Sequence, residues 1–235
     1  MWLEFYEHLT QADDSSIKNV YTDALDSKDY PYRIFNLEKD FKILFDVDDE
    51  KFQYFAMREK IFLMIPLKNI HGNIFGFVCR SISGNRFYNI QIEERFPMVF
   101  GLETLARMPF NTPILLCEGI KDCMTLRQVY PVSLAYLTAK PSDLLFNFLK
   151  QISKKVVFFP DNDKAGQNIC YDRDVKEKKY IKDKEVKEKF EFYAKHYTPY
   201  GKDLGEYWDD TIYKERILQW VKSMLLKDDI QLPKD

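Results

Sequence analysis

Short apolar runs alternate with amphipathic segments along the second half of the chain. The runs PILLC, VSLAYL, KVVFF and KFEFYAKHY, at residues 113–117, 132–137, 155–159 and 189–197, have the length of single strands. Amphipathic segments at residues 121–130, 141–152, 165–180 and 204–226 are typical of helices, and Pro141 suits a first helical turn. Strand and helix alternate four times. The pattern therefore predicts an α/β fold, a parallel sheet with helices on both faces.

The earlier part of the chain has a different pattern. Two segments rich in apolar and aromatic residues flank a His-Gly-Asn sequence within IFLMIPLKNIHGNIFGFVCRSI, at residues 61–82, and predict an antiparallel hairpin. Short helices are expected at residues 15–24 and 36–45. We therefore predict a smaller mixed α+β subdomain ahead of the parallel sheet.

Composition limits the classes of function. With 46% hydrophobic residues in a chain of 235, a large core can form, and a net charge of −2 excludes a general polyanion binder. Residues 1–60 contain 14 acidic and 8 basic residues, whereas residues 61–92 contain Lys68, Arg80 and Arg86 and no acidic residue. Any nucleic-acid surface is therefore expected to be local, and this acid-free stretch is the candidate.

Membrane, zinc and disulfide classes are not expected from the sequence. No apolar run approaches the roughly 20 residues that span a bilayer, and the first residues do not form a signal peptide. The four cysteines contain no C-x-x-C pair, which favours reduced, buried thiols in a cytoplasmic protein over zinc ligands or disulfides.

Acidic residues follow three of the predicted strands. Glu118 comes directly after the first strand, Asp161 and Asp163 after the third, and Asp203 and Glu206 after the fourth. Residues i and i+2 of an extended segment point the same way, roughly 6.6–6.8 Å apart. Because the carboxyl ends of parallel strands share one edge of the sheet, these acids are expected to meet there.

Clustered carboxylates repel one another and need a cation. Any one of these acids alone would be explained as a helix cap, which is the ordinary role of an acid after a strand. We call the carboxyl end of a strand, with the residues that follow it, the exit of that strand. Acids at three exits together, with two of them in D-x-D spacing, favour a divalent-metal site instead. Carboxylate oxygens are the preferred ligands of Mg²⁺ and Mn²⁺, so the sequence predicts a metal site for phosphoryl chemistry.

These stretches resemble a known family. ILLCEGIKDCMTL resembles the glutamate motif of the Toprim domain, and VVFFPDNDKAGQN its D-x-D motif in the form found in DnaG-type bacterial and phage primases. FLMIPLKNIHGNIFGFVCRSI, NRFYNI, VFGLETLAR and GKDLGEYW resemble further motifs of those primases, and all lie in the same order as in the family. The resemblance covers roughly residues 58–208.

The resemblance implies a primase catalytic core, an RNA polymerase that starts chains on a single-stranded DNA template. It implies nucleoside triphosphates as substrates, Mg²⁺ or Mn²⁺ as cofactor, and a replicative helicase as partner. No zinc is expected in this chain, and a zinc-binding domain is expected, if anywhere, on another chain. The implied organisation is an N-terminal α+β subdomain at 1–110, a Toprim domain at 111–208 and a C-terminal helix at 209–235.

Site residues are carried over position by position. Glu118, Asp161 and Asp163 match the catalytic acids. Metal ligands are expected among Glu118, Asp161, Asp163, Asp203 and Glu206, and contacts with template or nucleotide are expected from Arg80, Arg86, Asn89, Asp122, Lys164 and Lys202.

The sequence departs from the family at two of these motifs. Gly205 stands where the family has a second acid, so that Glu206 either substitutes for it or the metals have fewer ligands. Arg86 stands where the family has a lysine. Two alternatives remain open: a Toprim nuclease or topoisomerase-like enzyme, which uses the same acids to cleave strands, and a non-catalytic Toprim protein that binds DNA in the replisome. The upstream hairpin argues against the nuclease.

Overall fold

The structure, a computed structural model, describes residues 2–11, 32–36, 40, 61–82, 87–138, 141–163, 166, 189–206 and 210–233. The chain divides into two compact units, one formed by residues 1–68 and 72–94 and the other by residues 69–71 and 95–235. The functional division at residues 110 and 208 stays a prediction. Among the described residues, no helix is long and apolar enough to cross a membrane.

An antiparallel sheet forms the first unit. Its five strands are hydrogen-bonded in chain order: β1 (Thr10–Gln11), β2 (Arg33–Asn36), β3 (Ile61–Lys68), β4 (Ile74–Ser81) and β5 (Phe87–Gln91). Strands β3 and β4 confirm the predicted hairpin, and Gly72 in the connecting turn has a φ of 81°. The helices predicted at residues 15–24 and 36–45 lie almost entirely outside the described residues, although Asn36 is the last residue of β2.

Alternate strand positions build the core of this unit. Phe62 and Met64 of β3, with Phe77 and Cys79 of β4, point to the face that is covered by helix α1 (Trp2–His8). Phe5 of this helix makes an edge-to-face contact with Phe35, which stacks on Phe62 at 5.3 Å between ring centroids. Leu63 and Ile65, which point to the other face of β3, are buried as well, so both faces of this strand pack.

A parallel sheet forms the centre of the second unit. Its strands, in the spatial order β7-β6-β8-β9, are β6 (Ile114–Cys117), β7 (Ser133–Ala135), β8 (Lys155–Phe159) and β9 (Phe192–Lys195). The helices are α2 (Ile120–Arg127), α3 (Asp143–Leu149) and α4 (Thr211–Lys227), with a 3-10 helix at Leu102–Arg107. The predicted strand–helix alternation is confirmed where it is described. Apart from Gly166, the helix predicted at residues 165–180 lies outside the described residues.

Helices cover both faces of this sheet, as predicted. Phe158 of β8 contacts Phe146 of α3, and the next residue, Phe159, contacts Trp220 of α4. Successive strand residues point to opposite faces, so α3 and α4 lie on opposite sides. All four residues of β6 are buried, which is typical of a central parallel strand.

Two predicted helix starts were wrong. Pro141 precedes the helix: Ser142 is the N-cap residue of α3, and its Oγ accepts a hydrogen bond from the N–H of Leu145 at 3.2 Å. Helix α4 begins at Thr211 rather than at residue 204, because Asp210 accepts hydrogen bonds from the N–H groups of Ile212 and Tyr213 at 3.0 and 3.1 Å. Residues 204–206 form a turn, and this turn belongs to the site.

Candidate active site

Glu118 is held at the end of β6 by the neighbouring strand. Its carbonyl oxygen accepts a hydrogen bond from the N–H of Leu137 at 3.0 Å, and that of Cys117 accepts one from the N–H of Tyr136 at 3.0 Å. Gly119 then begins α2 as its N-cap residue. The carboxyl end of β7 therefore fixes the backbone that carries Glu118.

Asp161 and Asp163 follow β8 in a tight turn. Asp161 is 7% exposed, and Oδ1 of Asp163 accepts a hydrogen bond from the N–H of Gly166 at 2.9 Å. A Cβ atom at Gly166 would lie 1.9 Å from the carbonyl oxygen of Asp161. Only glycine fits there, so the turn that carries the D-x-D pair depends on Gly166.

The segment after β9 contributes both a cation and an acid. The Nζ atom of Lys202 lies 3.4 Å from Oδ2 of Asp161 and 3.4 Å from Oδ2 of Asp163. The N–H of Asn162 donates a hydrogen bond to the carbonyl oxygen of Lys202, which joins this segment to the turn after β8. Asp203 is the next residue. The exits of β8 and β9 are therefore connected through backbone and side chain alike.

Asp122 joins the exits of β6 and β9. One carboxylate oxygen accepts a hydrogen bond from the N–H of Gly119 at 3.2 Å, and the other accepts one from the N–H of Gly205 at 2.8 Å. The same N–H lies 2.9 Å from Oδ1 of Asp203. Asp122 is 6% exposed. This placement favours a structural role for Asp122, and its predicted contact with nucleotide stays a prediction.

The turn at Gly205 leaves no space for an acidic side chain. A Cβ atom at Gly205 would lie 2.6 Å from the Cβ atom of Lys121 in α2. The neighbouring Glu206 is exposed, and its Oε2 accepts a hydrogen bond from the N–H of Lys202. Ligation of a metal ion by Glu206 stays a prediction. We call the other four acids, Glu118, Asp161, Asp163 and Asp203, the acidic cluster.

The pKa values of three acids in the acidic cluster are raised above their ordinary values. Burial, together with the charges of Asp161, Asp163 and Asp203, raises the pKa of Glu118 to about 7. Burial and the charge of Asp203 raise the pKa of Asp161 to about 6. Burial also raises the pKa of Asp203. Raised pKa values among mutually close carboxyl groups are typical of functional sites.

The donor set fits Mg²⁺ or Mn²⁺, although the ligands are not preformed. Carboxylate oxygens from three strand exits are the hard ligands that these cations prefer. Among the described residues, however, no three acidic, histidine or cysteine side chains are already arranged to hold a metal ion. The ammonium group of Lys202 lies between the two aspartates instead.

The structure does not test the remaining predicted contacts with template or nucleotide. Arg86 and Lys164 are outside the described residues. Arg80 lies on β4 and Asn89 on β5, in the first unit. Contacts of these four residues with template or nucleotide stay predictions.

Sequence reasoning missed the exit of β7. Tyr136 is 2% exposed, and its hydroxyl group has no hydrogen-bond partner among the described residues. Burial is the main cause that raises the pKa of Tyr136, and the negative charge of Glu118 raises it further. Leu137 has a φ of 57°, unusual for a non-glycine residue. The available signal is the position of Tyr136 at the end of the predicted strand VSLAYL.

Comparison with known families identifies the second unit. The sequence profile of the Toprim-like family matches residues 115–207, the segment from β6 to the turn after Asp203. The chain contains a Toprim-like domain. No curated protein sequence matches the chain.

Solved structures extend the similarity beyond the Toprim domain. The Aquifex aeolicus primase, solved with its zinc-binding and RNA polymerase domains, is 19% identical with a TM-score of 0.60, covering 94% of this chain and 58% of that one. The E. coli primase catalytic core is 14% identical with a TM-score of 0.59, and the match covers 94% of this chain and 77% of that one. The DnaG primase catalytic domain bound to single-stranded DNA is 15% identical with a TM-score of 0.55, covering 92% and 77%. The fold is therefore that of DnaG-type primase catalytic cores, and the predicted resemblance is confirmed at this level.

Proposed function

We propose that this chain is the catalytic core of a DNA primase, which makes short RNA primers on single-stranded DNA from nucleoside triphosphates. The main support is the meeting of Glu118, the Asp161–Asp163 pair and Asp203 at one edge of a Toprim sheet, within a fold that matches primase cores over 94% of the chain. A related DnaG catalytic domain has been solved with single-stranded DNA. Partners such as a helicase and a separate zinc-binding domain are part of the same proposal.

Each side chain of the site has a physical role in this proposal. The acidic cluster would hold Mg²⁺ or Mn²⁺, which supplies the positive charge that activates the attacking hydroxyl and offsets the charge of the leaving pyrophosphate. Without a metal ion the pKa of Glu118 is about 7, so Glu118 can hold a proton near neutral pH until the metal ion binds. Lys164 and Lys202 would contact the triphosphate, and Arg80, Arg86 and Asn89 the template.

Primer synthesis tests the proposal directly. The chain is incubated with single-stranded DNA templates, labelled nucleoside triphosphates and Mg²⁺ or Mn²⁺, with a helicase and a zinc-binding domain supplied in trans. Wild type is expected to make primers, and Asp161→Asn to lose more than about a hundredfold of this activity. The matched control is Asp143→Asn, an exposed acid of α3 that pairs with Lys189 at 3.3 Å; it is expected to retain full activity.

The same assay separates the alternatives. Cleavage of labelled single-stranded DNA by metal alone, without triphosphates, would support the Toprim nuclease. DNA binding without synthesis under every condition would support the non-catalytic protein. The five-stranded antiparallel unit, together with the match to primase cores across both units, favours the primase.

A further inference from the structure

The ammonium group of Lys202 occupies the space between the two aspartates of the D-x-D pair. Its distances to the nearer oxygens of Asp161 and Asp163 are equal, 3.4 Å each. The side chain of Asp161 is 10% exposed and that of Asp163 is 37% exposed. A buried carboxylate needs a compensating positive charge, and Lys202 is the cation that supplies it here.

The backbone of Lys202 is held by hydrogen bonds, whereas its side chain is partly exposed to solvent. Its N–H donates to Glu206, and its carbonyl oxygen accepts from the N–H of Asn162. The side chain is 54% exposed. A lysine has a flexible four-carbon stem, so its charge can move several ångströms without movement of the turn.

We infer that Lys202 is an exchangeable counter-ion, which holds the D-x-D pair together before a metal ion binds and is released to the triphosphate when the metal ion enters. A Mg²⁺ ion needs carboxylate oxygens at roughly 2.0–2.1 Å. The ammonium group contacts the same oxygens, and two like charges cannot share them without strong repulsion. Entry of the metal ion therefore displaces the ammonium group toward solvent.

The released charge has a partner in the proposed reaction. A nucleoside triphosphate brings several negative charges to the metal site, and a displaced ammonium group at the mouth of the site can pair with them. Lys202 is then expected to weaken the binding of metal ion alone and to strengthen the binding of metal ion with nucleotide. This coupling rests on the proposed function, because it assumes that the site takes a triphosphate.

Opposite effects of one substitution test the inference. Binding of Mn²⁺ alone is measured from the electron paramagnetic resonance signal of the free ion, and binding of a non-hydrolysable nucleoside triphosphate is measured at saturating Mn²⁺. Lys202→Met is expected to bind Mn²⁺ alone about three- to tenfold more tightly, and the nucleotide about three- to tenfold more weakly. Lys202→Arg keeps the charge and is expected to keep the weak binding of Mn²⁺ alone.

Lys155→Met is the matched control, because Lys155 lies exposed at the amino end of β8, the end opposite the D-x-D pair. It is expected to change neither measurement. The inference is overturned if Lys202→Met leaves Mn²⁺ binding unchanged or weakens it, which would make Lys202 a phosphate contact only or a support for the metal ligands.

The outcomes also separate this inference from the proposed function. If wild type makes primers but Lys202→Met changes Mn²⁺ binding and nucleotide binding in the same direction, the proposed function stands and the exchange is wrong. Tighter Mn²⁺ binding and weaker nucleotide binding in Lys202→Met, with no primer made by wild type, would support the exchange and overturn the function. If wild type binds no Mn²⁺, both are wrong.

Discussion

At the scale of single residues, Gly205 and Asp122 determine how many acids can surround a metal ion. The N–H of Gly205 lies within hydrogen-bond distance of Asp122 and of Asp203, at 2.8 and 2.9 Å. The absence of a side chain at Gly205 allows that N–H to approach, because a Cβ atom there would press on Lys121. The position at which the related primases have a second acid is therefore occupied here by a glycine whose backbone N–H contacts Asp203.

Substitution of Gly205 is expected to destabilise the fold rather than restore a ligand. Gly205→Ala places a Cβ atom 2.6 Å from that of Lys121, and we expect a loss of about 1–3 kcal/mol in the free energy of unfolding. Gly205→Asp is expected to lose at least as much and to bind Mn²⁺ no more tightly than wild type. Urea unfolding and Mn²⁺ titration measure both effects.

Gly72→Ala serves as the comparison for this substitution. A Cβ atom at Gly72 would meet no atom within 4 Å, so only the cost of its positive φ remains, about 1 kcal/mol. A Gly205→Asp variant with normal stability and tighter Mn²⁺ binding would show that the position can carry a ligand after all.

At the scale of elements, a largely buried hydrogen bond between side chains joins the end of α4 to the end of β9. Nε2 of His196 lies 2.6 Å from Oδ2 of Asp228, and the two side chains are 13% and 12% exposed. The imidazole ring of His196 also packs on Phe159, and Phe159 in turn contacts Trp220 of α4. Phe159 lies two residues before Asp161 in the chain. The helix therefore supports the strand exit that carries the D-x-D pair.

Burial rather than distance is expected to determine the contribution of this pair. Lys154 and Glu191, at the amino ends of β8 and β9, are also 2.6 Å apart, but their side chains are 49% and 60% exposed. We expect Asp228→Asn to lower the free energy of unfolding by about 1–3 kcal/mol and Glu191→Gln by less than about 1 kcal/mol. Parallel urea titrations of the two variants compare them directly. Equal losses would show that exposure does not control the strength of these pairs.

Elements were predictable from sequence where one local pattern determined them. The β3–β4 hairpin and the four parallel strands follow from apolar runs of strand length bounded by turn residues. The start of α4 was not predictable in this way, because residues 204–210 are compatible with helix and only Asp210 as a cap residue decides where it begins. Tertiary contacts fix residues 204–206 in a turn, through the bond from Gly205 to Asp122.

The same distinction applies to the site. Three strand ends carrying acids could be recognised because parallel strands place their carboxyl ends at one edge of the sheet. Contacts of Lys202 with Asp161 and Asp163, and of Gly205 with Asp122 and Asp203, join these strand ends in the structure. The bridge by Lys202 and the buried hydroxyl group of Tyr136 depend on side-chain directions that no spacing rule specifies.

At the scale of the whole molecule, the acidic cluster links stability to pH and to divalent cations. The pKa of Glu118 is about 7 in the folded state against 4.5 for the ordinary group, and that of Asp161 about 6 against 3.8. The folded protein therefore binds these protons more tightly than the unfolded chain does. Their contribution to stability is fully present below about pH 4 and is lost as pH rises through 6 and 7.

We therefore expect Glu118→Gln to become more stable relative to wild type as the pH rises from 4 to 8 in metal-free buffer. Because Glu118 is only partly buried, the gain should be about 1–2 kcal/mol, read from thermal unfolding of both proteins across the pH range. Asp143→Asn, which changes an exposed acid, should follow wild type throughout. Millimolar Mg²⁺ or Mn²⁺ at pH 8 should stabilise wild type and abolish the advantage of Glu118→Gln, since a bound cation replaces the lost protons. Parallel curves for wild type and Glu118→Gln, with or without metal, would mean that these carboxyl groups are not coupled and that no divalent cation binds among them.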